Sequence, residues 1–325
     1  ALRSVHMDAA TRRSFMLLPK SLWENNKSQG AGVPPCSITG HYAIFLLRPP
    51  LPWKRAQHRT EDCLLSTEST TPPVLRPGLV LAERYALVRE LGRGGVGRVW
   101  LACDALLDEA PVAVKLLREA YRYDRRALAD LKREVLLTRR LRHPNILGVH
   151  TFHEGGGQPF IVMDYVSGDD LRTALQANGG AFPLRAVLDW LPAIAQALDY
   201  AHENGVLHRD IKPGNLLRGN DGRVRLADFG IARTLREVHQ RLTSERTAGT
   251  VQFMSPEQMR GGPVDRRSDL YSLAASVYEL LSGAPPCGTR DPLEAAQFGT
   301  PAPIDTLGAP VNEALLAGLA RESAA

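Results

Sequence analysis

Residues 208–230, HRDIKPGNLLRGNDGRVRLADFG, contain the side chains best suited to chemistry. Asp210 could accept a proton from an attacking hydroxyl, which is the work of a general base. Asn215 and Asp228 offer hard oxygen ligands of the kind that Mg²⁺ prefers. Lys212 could neutralise negative charge on a phosphoryl group. The pattern indicates a site for a phosphate and its metal ion, with a solvated polar hairpin as the alternative.

A glycine cluster lies upstream, in LGRGGVGRV at residues 91–99. Glycines at 92, 94 and 97 let backbone N–H groups approach phosphate oxygens without interference from a Cβ atom. This spacing by itself is also typical of a Rossmann turn or of a flexible loop. A Rossmann turn requires a helix after the glycines, whereas VWLACD alternates like a strand. A strand–loop–strand lid over a nucleotide is therefore the favoured interpretation.

Lys115 ends the segment VAVK, where it shares one face of an alternating strand with Ala113. A lysine that faces inward needs an anionic partner. Glu134 follows Leu131 by three residues and precedes Val135, so it lies at the apolar edge of a predicted helix and is the predicted partner. An unrelated surface lysine and surface glutamate are the alternative, which their position after the glycine cluster disfavours.

The chain divides into three parts by its sequence pattern. Residues 1–77 are basic and proline-rich without a sustained period, which predicts a poorly ordered extension. Residues 78–166 alternate like strands around one helical segment, RRALADLKREVLLTRRLRH, which HPN ends. Residues 167–325 are mainly helical, most strongly in DDLRTALQ, LRAVLDWLPAIAQALDYAHENG and RRSDLYSLAASVYELLSG. The pattern predicts a small β-rich lobe with one main helix and a larger helical lobe.

Composition and charge argue against several classes of protein. An apolar share of 44% and a charged share of 23% are ordinary for a globular protein. The 4 cysteines form no CxxC pair and are predicted to be reduced thiols of a cytoplasmic protein. No stretch approaches the roughly 18 continuous apolar residues of a membrane helix. Residues 1–77 hold 10 Lys and Arg against 5 Asp and Glu, and the rest holds 30 of each, so no nucleic-acid partner is expected.

Five motifs together resemble those of the eukaryotic-type protein kinases, and in particular the serine/threonine kinases of bacteria. They are GRGGVG, VAVK, HRDIKPGN, DFG, and SPE where the family usually has APE. The resemblance covers residues 79–325. It implies an α+β, bilobal fold and transfer of the ATP γ-phosphate to Ser or Thr hydroxyls of proteins, with Mg²⁺ or alternatively Mn²⁺ as the metal.

The resemblance also implies roles for individual residues. Asp210 is expected to be the catalytic base, Lys212 the γ-phosphate contact, and both Asn215 and Asp228 metal ligands. Asn215 also belongs to the expected catalytic set, and Met163 is the expected gatekeeper. The residues expected to surround ATP are Leu91, Gly92, Arg93, Gly94, Gly95, Val96, Gly97, Arg98, Val99, Ala113, Lys115, Glu134, Met163, Asp164, Tyr165 and Val166. The residues expected to have structural roles are His208, Arg209, Glu257 and Asp269.

The resemblance also implies regulation through the segment from Asp228 to Glu257. Kinases with an arginine at the position of Arg209 usually respond to phosphorylation of this segment. Thr250 is expected to contact the catalytic base and Lys212 and to favour Ser/Thr acceptors. The candidate phosphorylation sites are Thr243, Ser244 and Thr247. Protein substrates are the expected partners, and a homodimer could support trans-autophosphorylation.

The last segment of the sequence, APVNEALLAGLARESAA, resembles the penultimate helix of the large kinase lobe. We therefore expect the final helix, and the arginine that usually pairs with the equivalent of Glu257, to be missing. Two other functions compete with an active protein kinase. A pseudokinase is disfavoured because every catalytic position is filled, and a small-molecule phosphotransferase because the Thr-rich segment and GTVQFMSPE shape a peptide groove.

Overall fold

An antiparallel sheet of six strands forms the N-terminal part of the fold. The computed structural model describes residues 75–94, 97–118, 124–154 (apart from the Ala127 side chain), 158–229, 251–288 and 301–320. The strands are β1 Val80–Leu81, β2 Tyr85–Gly94, β3 Gly97–Asp104, β4 Ala110–Leu117, β5 Val149–His153 and β6 Phe160–Asp164. Their order is β1-β2-β3-β4-β6-β5, and every neighbouring pair is antiparallel.

Strand β4 shows why the sheet forms as its sequence predicts. Val112, Val114 and Leu116 point to one face, where they pack in a buried apolar cluster with residues of β2 and β3. Lys115 alternates with them and therefore lies on the opposite face, between Ala113 and Leu117. The alternation of VAVK thus directs one lysine toward the interior of the molecule.

The helix α1 Arg125–Thr138 covers that opposite face. Its Leu131 and Val135 pack with Leu117 of β4 and Ile161 of β6 in a second buried cluster. The predicted helical segment extended to residue 143, but the helix ends at Thr138 and the chain continues in turns.

Helices dominate the rest of the described chain. They are α2 Leu171–Ala177, α3 Leu184–Leu188, α4 Leu191–Glu203, α5 Pro256–Arg260, α6 Arg266–Ser282 and α7 Ala309–Gly318. The segment from residue 184 to 205, predicted as one helical stretch, is broken before Pro192. Pro192 lies in the first turn of α4, where proline is tolerated, whereas it disrupts the interior of a helix. The core of this lobe gathers around α4 and α6.

A small three-stranded sheet includes the part of residues 208–230 that lies between Asn215 and Asp228. It joins β7 Gly168–Asp170, β8 Leu216–Gly219 and β9 Val224–Leu226 in the order β7-β8-β9, all antiparallel. A 3₁₀ turn, Pro213–Asn215, leads into β8. The stretch therefore does contain a polar hairpin, and the chemically suited side chains flank it on both sides.

The predicted α+β, bilobal fold is confirmed by this arrangement of a sheet with one helix followed by a helical lobe. Across the described ranges, every helix is too short or too polar to cross a lipid bilayer.

Candidate active site

Asp210 lies in the loop between α4 and β8, and its side chain is buried and held from two sides. Lys212 Nζ is 3.1 Å from Asp210 Oδ2. Asn215 Nδ2 donates to the same oxygen at 2.9 Å and to the Asp210 carbonyl at 2.7 Å. Pro213 begins the 3₁₀ turn that carries Asn215, and its fixed φ restricts the backbone there. The loop thus holds one carboxylate in one orientation.

Asp269, in the first turn of α6, fixes the backbone of this loop. Its fully buried carboxylate accepts hydrogen bonds from the N–H groups of His208 at 2.8 Å and Arg209 at 2.7 Å. Arg209 has a φ of 64°, a conformation that is uncommon for residues other than glycine. The two bonds stabilise the strained backbone beside Asp210.

His202 contacts the same carboxylate, and sequence reasoning missed it. Its Nε2 lies 2.8 Å from Asp269 Oδ2, and its side chain is almost completely buried in the last turn of α4. The available signal was its position in YAHENG, where Ala201 beside it continues the apolar face of the helix.

His208 connects the loop to the strand end that carries Asp228. Its Nε2 donates to the Ala227 carbonyl at 2.9 Å, while its Nδ1 accepts from the Asp210 N–H at 3.3 Å. These bonds require the neutral tautomer with the proton on Nε2. Complete burial lowers the pKa of His208, which agrees with a neutral ring, and Phe229 packs on it with a centroid distance of 4.5 Å.

Lys115 pairs with Asp228 and not with Glu134, which corrects the predicted ion pair. Lys115 Nζ lies 2.7 Å from Asp228 Oδ1, and the positive φ of Asp228, 64°, orients that carboxylate. Burial has the largest single effect on the Asp228 carboxyl and raises its pKa, but Lys115, Lys212 and His208 together lower that pKa to below the usual range. Glu134 Oε1 instead lies 3.6 Å from Arg209 Nη1, which gives each charge a partner across the two lobes.

An apolar cluster lies between the sheet and the helical lobe. Ala113 and Met163 face each other across β4 and β6, and both are buried with Leu147 and Ala227. The half-buried side chains around this cluster are those of Leu91, Val99, Val166 and Leu217. The motifs predict the cluster residues of β2 to β4 and of the β6 end, whereas Leu147, Leu217 and Ala227 were not predicted. Leu217 could have been found because it follows Asn215 by two residues on an alternating strand.

The glycine cluster forms the ends of β2 and β3, paired Gly92 to Val99 and Gly94 to Gly97. A Cβ atom on Gly97 would lie 2.0 Å from the carbonyl oxygen of Leu116 in β4, whereas one on Gly92 or Gly94 would meet nothing within 4 Å. Gly97 is therefore required for strand packing. Gly95 and Val96 lie outside the described residues.

The remaining predicted site residues divide into four groups. Arg93 and Arg98 make surface ion pairs with Glu90, at 3.1 and 3.9 Å. Tyr165 is half-buried directly after β6. Glu257 accepts a hydrogen bond from the Ser268 hydroxyl of α6. The predicted residues that lie outside the described part of the chain are Thr243, Ser244, Thr247 and Thr250.

Few side chains of the site could bind a metal ion, and those that could offer hard oxygen atoms as ligands. No group of three His, Cys, Asp or Glu side chains comes together anywhere in the described segments. Asn215 uses its Nδ2 for Asp210, which leaves its amide oxygen for a ligand, and the Ala227 N–H donates to the Asn215 carbonyl at 2.9 Å next to Asp228. An amide oxygen and a carboxylate fit a divalent cation such as Mg²⁺.

Comparison with known proteins identifies the family. Residues 85–301, more than half of the chain, match the family model described as protein kinase domain. Serine/threonine-protein kinase PknB of Mycobacterium tuberculosis is 39% identical over 221 residues, which cover 66% of this chain and 35% of PknB. A probable PknB of Bifidobacterium longum is 40% identical over 220 residues, with 65% and 32% covered. The chain spans about a third of the length of these curated relatives.

A solved structure agrees with the match. The crystal structure of the Mycobacterium tuberculosis PknI kinase domain has a TM-score of 0.61 and is 33% identical, and the match covers 77% of this chain and 93% of that one. The kinase motifs, the bilobal fold and these similarities together show that the chain belongs to the eukaryotic-type protein kinase family, in its bacterial serine/threonine branch.

Proposed function

We propose that this chain is an active protein kinase that transfers the γ-phosphate of ATP to Ser or Thr hydroxyls of proteins. The observation that carries the proposal is the buried Asp210 carboxylate, held between Lys212 Nζ at 3.1 Å and Asn215 Nδ2 at 2.9 Å. A general base must be fixed within hydrogen-bond reach of the hydroxyl that it serves. A pseudokinase has no need for such a geometry.

Asp210 orients the acceptor hydroxyl and takes its proton as the hydroxyl oxygen bonds to the γ-phosphorus. The bond from that phosphorus to the β,γ-bridging oxygen breaks, and ADP leaves with its electron pair. Lys212 neutralises negative charge on the transferred group. The proton on Asp210 then passes to solvent, which restores the base for the next cycle.

Protein kinases use ATP with a divalent metal ion, and we propose Mg²⁺ as that ion here. Asn215 would hold it through its amide oxygen and Asp228 through its carboxylate, because hard oxygens are the ligands that Mg²⁺ prefers. When bound, the ion supplies charge neutralisation and orientation of the phosphates. Lys115, whose partner is Asp228 in this structure, is close enough to that carboxylate to contact the same phosphates.

The nucleotide site that we propose lies between a small lobe, residues 78–166, and a large lobe, residues 167–325. The apolar cluster of Ala113, Met163 and Leu217 supports this location, since adenine needs a flat apolar slot. The backbone from Asp164 to Val166 would hydrogen-bond the base, and the ends of β2 and β3 would cover the phosphates.

We further propose that the segment between Asp228 and Glu257 is regulated by phosphorylation, with Thr243, Ser244 and Thr247 as acceptors. Arg209 supports this proposal: its contact with Glu134 is long, at 3.6 Å, and within the described residues its Nε has no hydrogen-bond partner. A phosphate brings three strong acceptor oxygens and could engage those donors. Two copies of the chain, meeting in the cytoplasm where ATP is available, would allow the reaction in trans.

The decisive experiment is transfer of labelled γ-phosphate from Mg-ATP to the protein itself and to a generic basic protein, with Asp210→Asn beside it. We expect transfer by the unaltered chain and a loss of at least about 100-fold in the variant, since a general base contributes 10²–10⁴-fold. Phosphopeptide mapping of the product should find phosphate on Thr243, Ser244 or Thr247. Binding of ATP without any transfer would support the alternative of a pseudokinase, and transfer only to free small-molecule acceptors would support a phosphotransferase.

A further inference from the structure

Asp164, the last residue of β6, is fixed to one short segment, Gly148–His150, by two hydrogen bonds and one ion-pair contact. Its Oδ2 accepts from the Gly148 N–H at 2.8 Å, and its own N–H donates to the Gly148 carbonyl at 2.9 Å. Its Oδ1 lies 2.9 Å from His150 Nε2. Both the backbone and the side chain of Asp164 are therefore tied to the same place.

Gly148 is needed for space and not for conformational freedom. Its φ lies outside the left-handed region, so that any residue could adopt its backbone conformation. A Cβ atom at this position would lie 2.6 Å from Asp164 Oδ2 and 3.2 Å from the carboxyl carbon. The side chain of Asp164 occupies the volume that any larger residue at position 148 would take.

The segment that holds Asp164 also reaches the apolar cluster and the large lobe. Leu147, which precedes Gly148, is buried in the cluster with Met163, and its N–H donates to the Leu226 carbonyl of β9 at 2.8 Å. Asp164 itself follows Met163 directly. A displacement of Asp164 from Gly148 would therefore move the backbone that borders the proposed adenine site.

The hinge is the backbone from Asp164 to Val166, which would hydrogen-bond the adenine base. We propose that Asp164, Gly148 and His150 form a hinge brace, in which the Asp164 carboxylate positions this backbone for nucleotide binding. Asp164 is thus a positioning residue, which acts through the backbone from 164 to 166. The bond from the Gly148 N–H contributes most, because the carboxylate and the His150 ring are about half exposed and an exposed ion pair contributes little. This inference rests on the proposed kinase function of the site.

The test compares Asp164→Ala and Gly148→Ala with the unaltered chain, by kcat and KM for ATP and by direct titration with a fluorescent ATP analogue. We expect KM and the dissociation constant to rise on the order of 3- to 10-fold, as for one lost hydrogen bond, with kcat within about twofold. Asp164→Asn keeps an acceptor for the Gly148 N–H and should restore most of the affinity. The matched control is Glu154→Ala, because Glu154 is 47% exposed against 50% for Asp164 and pairs with Lys132 away from the cluster.

Unchanged nucleotide affinity in Asp164→Ala would overturn the proposal, as would a loss of kcat and of thermal stability with KM unchanged, which indicates a structural role alone. If Gly148→Ala does not fold, Asp164→Ala decides, since its side chain is half exposed. If the unaltered chain binds the analogue but transfers no phosphate, the proposed function is contradicted. The hinge brace is then still tested by comparing the dissociation constants of the variants with that of the unaltered chain. A chain that binds no nucleotide overturns both.

Discussion

At the scale of the residue, the site contains two ion pairs whose partners differ from those that sequence reasoning suggests. Lys115 pairs with Asp228, and Glu134 pairs with Arg209. The sequence identifies three of the four charges by their motifs and Glu134 by its position at the apolar edge of a predicted helix. It cannot identify the partners, because both pairings neutralise the same charges and the choice depends on how α1 lies against the catalytic loop.

The two pairs should differ in their contribution to stability. Lys115→Met removes a buried ammonium and leaves Asp228 with an unsatisfied charge, which we expect to cost about 1–3 kcal/mol of unfolding free energy. Glu134→Gln weakens a longer contact, at 3.6 Å, and leaves an amide oxygen as an acceptor for Arg209, so it should cost less than about 1 kcal/mol. Denaturant unfolding measures both. An equal cost for the two variants would contradict the assignment of Lys115 to Asp228.

At the scale of the element, periodicity predicted the strands well and the ends of helices poorly. The alternation in VAVK directs Lys115 to the inner face of β4, as predicted. Pro192 breaks a helical stretch whose apolar pattern continues through it, so pattern alone does not reveal two helices. The glycine cluster shows a further limit, since its spacing suggested phosphate contact for all three glycines, whereas strand packing requires one of them.

Gly97→Ala should therefore be much more damaging than Gly92→Ala, although both alter the same motif. The new Cβ at position 97 would collide with the Leu116 carbonyl at 2.0 Å and push β3 away from β4. Overpacking of this kind costs about 1–3 kcal/mol. At position 92 the new methyl group meets nothing within 4 Å, so we expect a change of about 0.5 kcal/mol or less. Thermal unfolding compares the stability of the two variants. Equal losses of stability would show that the close approach of β3 to β4 at Gly97 does not restrict the size of the residue there.

At the scale of the whole molecule, the contacts that join the two lobes were the least predictable. The motifs give the family, the bilobal fold and the charged residues of the cleft. Leu147 bonds to Leu226, and Leu217 packs beside the residues of the sheet, yet these are apolar residues far apart in sequence with no motif of their own. Neutral packing leaves a weaker signal in one sequence than charge does. The charged residues of the site were therefore predictable, whereas the apolar residues Leu147, Leu217 and Ala227 were not.

Three histidines, two in the small lobe and one in the large lobe, make the stability of the molecule depend on pH. Burial lowers the pKa values of His143, His153 and His208. Below about pH 6.5, the ordinary value, the unfolded chain therefore binds more protons than the folded one, and stability falls as pH decreases. Burial raises the pKa of Glu279, so protonation of this carboxyl at lower pH has the opposite effect on stability. It is one group, whereas three histidines destabilise the fold on acidification.

We therefore expect a lower Tm at pH 5.5 than at pH 7.5, measured at constant ionic strength. His153 offers the matched test, because its ring stacks on Phe160 at 4.7 Å and its Nε2 has no hydrogen-bond partner within the described residues. Phenylalanine at this position keeps the aromatic packing and removes the titrating group, so His153→Phe should reduce the loss of Tm on acidification. An equal or greater Tm at pH 5.5 in the unaltered chain would show that protonation of these rings is not linked to unfolding. If His153→Phe loses as much Tm on acidification as the unaltered chain, His153 does not contribute to the pH dependence.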